Sequence, residues 1–203
     1  MLVDRIIGAF TFKREVYAEV EKDTSFTPMA WGIVVVVAFL NQIAGYLAAQ
    51  AAAAAAVGLV GGEVAAAVAF SPVNILIGTV VQVAGFALGA YVIMFVGKSM
   101  FQAQATFDEV VRTVGLAYVW GSIGIVGGLL AFITPVLVCI ASPLLLAAAV
   151  LSVISWAIAV HEALDLDWTN TAITVVIAFV VNIVISGVVL GILGVSSALS
   201  FGF

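Results

Sequence analysis

The sequence predicts an all-α integral membrane protein, a five-transmembrane-helix bundle behind an amphipathic N-terminal segment. Three observations carry that prediction. Hydrophobic residues make up 65% of the 203 residues and charged residues 8%, with a mean hydropathy of +1.33, whereas a soluble domain needs about 25% charged residues to clothe its surface. Five apolar stretches each reach the roughly 20 residues that a hydrocarbon core about 30 Å thick requires. All six basic residues, Arg5, Lys13, Arg14, Lys22, Lys98 and Arg112, fall on one side of the five spans.

The chain divides into an N-terminal segment (1–28), a membrane domain (29–196) and a short tail (197–203). In the first segment Leu2, Val3, Ile6, Ile7 and Phe10 recur at helical spacing, and Phe12, Val16, Tyr17 and Val20 continue the pattern. One or two short helices are expected there, lying on the membrane surface or packed on the protein's own spans. Charges at Asp4, Arg5, Lys13, Arg14 and beyond leave no room for the apolar core of a cleavable signal peptide, so the first span is expected to act as its own insertion signal.

Span one covers about 30–57. Thr27-Pro28 supplies an N-cap hydroxyl and a proline at the first helical position, and Trp31 sits at interface depth. The alanine run 51–56 and Gly58, Gly61 and Gly62 are expected to end it, with Val57 to Phe70 as an outside connection, re-entrant or not. Span two, about 72–96, opens at Ser71-Pro72 and closes at Lys98. Span three, about 110–133, begins at a capping box: Thr106 and Glu109 stand three apart, and Asp108 and Glu109 favour the positive end of the helix dipole. Thr134-Pro135 turns the chain into span four, about 136–160, where Pro143 is expected to kink the helix. Span five covers about 171–195.

The positive-inside rule then places the N-terminus in the cytoplasm and the C-terminus outside. Of the eleven acidic residues, Glu63 alone falls outside. The segregation marks the cytoplasmic face as functional, with Arg5, Lys13, Arg14, Asp108, Glu109, Arg112, His161, Glu162, Asp165 and Asp167 as its candidate residues. Small residues four apart, Gly85/Gly89, Gly124/Gly128 and Gly187/Gly191, are candidate helix-packing grooves, and Asn41, Gln42, Gln82 and Asn182 can bond across helices.

Chemistry is sparse. No span carries an ionisable group at its middle, which argues against an ion-coupled carrier or a proton pump. The net charge of −5 offers nothing to a nucleic acid, and the single Cys139 forms no internal disulfide. His161 and Asp165 stand four apart, but no second histidine exists to complete a tight metal site; no metal is expected. His161 stands as a lone candidate axial ligand for a pigment or haem, and lipid is the expected non-protein contact. Catalytic motifs are absent, so no enzyme is expected.

The segment Phe12 to Asp23, the stretch Thr106 to Tyr118 that opens span three, and Trp156 followed by Ala163-Leu164-Asp165-Leu166 together resemble the Yip family of five-span membrane proteins, in its bacterial branch, over about Phe12 to Leu193. The resemblance implies a cytoplasmic N-terminus and five spans; eukaryotic relatives bind prenylated Rab-type GTPases. Two departures stand out: Trp120 where relatives often carry proline, and a last cytoplasmic loop with His161 and Asn170/Thr171 in place of arginines. The expected function is a non-enzymatic membrane organiser or adaptor of a bacterial cytoplasmic membrane, with protein partners at its cytoplasmic face. An accessory subunit of a respiratory or photosynthetic complex is the alternative, and a passive channel or transporter the third.

Overall fold

A computed structural model describes residues 1–60 and 71–192, with side-chain surroundings for all of these except 55–60, 135, 138–141 and 185–192. Every element among them is helical: α1 (Leu2–Phe10), α2 (Arg14–Lys22), α3 (Thr27–Val60), α4 (Pro72–Phe101), α5 (Phe107–Ala117), α6 (Gly124–Ile133), α7 (Pro135–Leu164) and α8 (Trp168–Ile192), with 3-10 turns at Thr24–Phe26 and Tyr118–Ile123. Four stretches, Thr24–Ala54, Pro72–Phe101, Phe107–Ile133 and Ser142–Leu164, are long and apolar enough to cross a membrane; α8 is apolar over Trp168–Val184.

Local signals set most of the helix starts. Ser71 Oγ accepts the Asn74 amide ahead of Pro72, which opens α4. The capping box forms as read: Thr106 N donates to Glu109 Oε2 at 2.6 Å and Glu109 N to Thr106 Oγ1 at 3.3 Å. Asp167 Oδ2 accepts the amides of Thr169 and Asn170 and so starts α8.

Other boundaries move. Helix α3 continues through the alanine run and Gly58 to Val60, because alanine's high helix propensity carries the chain past one glycine. The expected outside connection falls largely on 61–70, and the tail on 197–203, both outside the described residues. Helices α4 and α7 run to Phe101 and Leu164, beyond the expected 96 and 160, and α7 continues through Pro143. The third apolar stretch is not one helix: a 3-10 segment separates α5 from α6.

That segment is enclosed by protein. Tyr118 packs edge-on to Phe86 at 5.3 Å and lies 6.3 Å from Trp156, and Phe86 meets Trp31 at 5.6 Å. Helix α5 is more enclosed still, with every residue from Val110 to Ala117 buried. Around it stand α3, α4 and α7, with α2 laid across one end, so the core centres on α5.

The glycine pairs behave differently from one another. Gly124 and Gly128 face α3: a Cβ on Gly128 would stand 2.6 Å from the Ala44 Cα and 2.7 Å from its carbonyl oxygen, and one on Gly124 would stand 3.0 Å from Asn41 Oδ1. Gly115 continues the same seam, 3.1 Å from the Ala30 Cβ by the same measure. Gly85 and Gly89 make no such close backbone approach to another helix among the described residues. A Cβ on Gly85 would meet nothing within 4 Å, and one on the buried Gly89 would meet only Asn182 Nδ2, at an ordinary 3.6 Å. The reason is that a polar side chain spaces α4 from α8 at this level, Asn182 Nδ2 donating to the Gly85 carbonyl at 3.4 Å. Gly187 and Gly191 lie outside the residues with described surroundings. Gln42, Gln82 and Tyr118 form a polar chain across three elements, Gln42 Nε2 to Gln82 Oε1 at 3.1 Å and Gln82 Nε2 to Tyr118 Oη at 2.9 Å.

Candidate functional site

Nearly all described charges gather at one end of the bundle, and the way that end is assembled sorts the candidate residues. Arg112 comes from the buried α5 and is itself 4% exposed. Its guanidinium Nε donates to the Val20 and Glu21 carbonyls at 3.2 and 3.0 Å, Nη2 also reaches the Glu21 carbonyl, and Nη1 reaches Thr27 Oγ1 at 3.3 Å. The last carbonyls of α2 lack helical partners; a planar, five-donor fork meets them where a lysine would not. Arg112 therefore ties α2 to the core and is not part of an exposed face, the place its charge predicts.

Helix α2 is held at two further points. Tyr17 and Ser155 share a buried 2.7 Å hydrogen bond, and burial pushes the Tyr17 phenol up to about 12 despite that bond. Arg14 donates from Nε to Glu162 Oε1 at 2.7 Å and lies over the Trp168 ring at 5.6 Å. His161 stacks on the same indole, 4.2 Å from Trp168 at 9°, with Nδ1 3.4 Å from Thr171 Oγ1. Asp165 does not share its helix face, because α7 ends at Leu164 and Asp165 turns left-handed at φ 48°.

Helix α1 is fastened by Arg5, which pairs with Glu19 at 2.6 Å and Asp23 at 2.8 Å. The hydrogen bond it donates to Glu19 holds the Arg5 guanidinium above its usual pKa, and bonds from Ser25 and then Arg5 hold the Asp23 carboxyl below the usual range. Trp120, the departure noted in the sequence, closes the hairpin: its indole N–H donates to the Ala9 carbonyl at 3.2 Å, and Phe10 and Phe12 pack on its ring at 5.0 and 5.2 Å. Lys13 and Asp108 remain exposed.

Between α2 and the loops after α4 and α7 lies an open groove of about 340 Å³. Glu21, Gln102, Gln104, Glu109, Leu164 and Asp165 line it. Its lips are two left-handed residues that end helices, Gln102 at φ 58° and Asp165 at φ 48°. Desolvation, and then the negative charges of Asp165, Glu109 and Glu162, push the Glu21 carboxyl above the usual carboxylate range; neighbouring Lys22 offsets this only in part. Glu21, Gln102 and Gln104 escaped the sequence reading, for no local pattern brings residues 21, 102 and 165 together.

Among known families, the Yip1 domain matches residues 7–195. The chain belongs to the Yip1 family. The match begins inside α1 and ends beyond the described part of α8, so it takes in both the apolar bundle and the charged end of this Yip1 protein. No curated protein and no solved structure matches it.

Proposed function

We infer that this Yip1 protein is a non-enzymatic adaptor of a bacterial cytoplasmic membrane. It crosses the bilayer five times, N-terminus inside and C-terminus outside, and offers its charged end to a protein partner in the cytosol. The acid-walled groove carries the reading. It is built from three elements far apart in the chain, it is open to solvent, and its charge complements a cationic segment.

A photo-crosslinking amino acid at Gln104, exposed on the groove wall, is expected to capture one discrete partner through a basic segment. Asp165→Lys is expected to abolish the adduct while the protein still accumulates. Because Glu21 takes up its proton above the usual range, the groove loses charge early on acidification. Capture should fall as pH drops, and Glu21→Gln should remove the upper part of that fall. Absence of any adduct from Gln104 in membranes with normal protein levels would overturn the adaptor role.

One observation favours an accessory-subunit reading as the alternative. Gly32 and Gly45 on α3 and Gly85 on α4 have open space where a Cβ would sit, which suits a partner's transmembrane helix. Migration as one large stoichiometric assembly on a native gel in mild detergent would favour that alternative over the adaptor.

A further inference from the structure

Helix α1 docks on the protein with only part of its apolar side. At 3.6 residues per turn, Leu2, Ile6, Phe10, Val3 and Ile7 fall within an arc of about 140°. Of the residues buried against the protein, Gly8 lies opposite this arc and Ala9 at its Leu2 edge. Contact there is made by backbone and small atoms: the Ala9 carbonyl takes the Trp120 indole proton, and a Cβ on Gly8 would strike Val16 at 2.5 Å. Within the arc, Ile6 and Phe10 are half-buried against the core, while the Leu2, Val3 and Ile7 edge is left outward, with Val3 64% and Ile7 53% exposed. Helix α2 has the opposite arrangement, its apolar Tyr17 and Val20 turned inward to zero exposure.

Depth identifies what covers the stripe. From Trp120 to the far end of α6 run three residues of 3-10 turn and the ten of α6, a rise of about 21 Å. That is less than the roughly 30 Å of hydrocarbon, so an α1 hung on Trp120 cannot stand clear of the bilayer. Ser155, which holds Tyr17, lies twenty residues from the start of α7, about 30 Å along it. The Trp120 level falls within the hydrocarbon and the Ser155 level at its inner boundary, so the α1 side of the hairpin meets the cytoplasmic leaflet.

We propose that α1 is an in-plane anchor whose Leu2–Val3–Ile7 edge inserts into the cytoplasmic leaflet, resting on the membrane-spanning reading above. Its one basic side chain, Arg5, is paired with Glu19 and Asp23. Insertion is therefore driven by apolar burial and needs no anionic lipid.

The test places a nitroxide on single cysteines at Val3, Ile7 and Asp4, with Cys139→Ala, in the full chain reconstituted one copy per phosphatidylcholine nanodisc. Val126 and Leu129, on the exposed face of α6, serve as control sites. Val3 and Ile7 are expected to collide several-fold more with oxygen than with a water-soluble nickel complex, as the control sites do, and Asp4 the reverse. Equal nickel access at Val3, Ile7 and Asp4, with the controls protected, would overturn the anchor alone. Nickel access at the controls as well would overturn the spanning reading with it. Protection of Val3 and Ile7 that needs phosphatidylglycerol, or two copies per disc, would also overturn the proposal, by assigning the edge to anionic headgroups or to a second chain.

Discussion

Arg112 and Asn41 are opposite cases of a polar group inside an apolar bundle. Arg112 donates to backbone carbonyls 91 and 92 residues away, at the end of α2. Arg112→Gln keeps polarity but loses the fork, and should cost about 1.5–3 kcal/mol, read as a lower unfolding midpoint in detergent with α2 newly open to protease. Asn41 keeps a buried Nδ2 with no partner among the described residues. Replacing it with leucine, similar in volume, is expected to leave thermal stability in detergent unchanged or raised, since the unmade bond is removed with the group. Arg112 also shows where reading residues one at a time fails. A charge next to an apolar run ordinarily marks water, and only the fold brings the end of α2 over it.

Among the elements, α6 and α4 separate two uses of glycine that look alike in sequence. The Gly128 position touches the Ala44 backbone, which cannot yield as a side chain can, so Gly128→Ala should force α3 and α6 apart and cost about 1–3 kcal/mol. Gly85→Ala enters open space and should be near neutral, or even slightly favourable through helix propensity. Thermal unfolding of the two variants in one detergent checks both. Helix starts were legible in advance at Ser71 and Thr106, because a cap is a local interaction within four residues. The 3-10 break at Tyr118–Ile123 was not, since an aromatic cluster drawn from α3, α4 and α7 surrounds it.

For the whole molecule, composition and hydropathy were enough to predict an apolar helical bundle with its charges at one end. They overlooked the groove and the direction in which α1 faces, both of which depend on how distant elements cross. The account rests on that charged end lying in the cytosol and on an odd number of crossings. Impermeant thiol labelling of intact cells, with single cysteines at Glu63 and at Asp167 in a Cys139→Ala background, tests it most directly. The account predicts labelling at Glu63 alone until the membrane is opened; labelling of Asp167 in intact cells would contradict it.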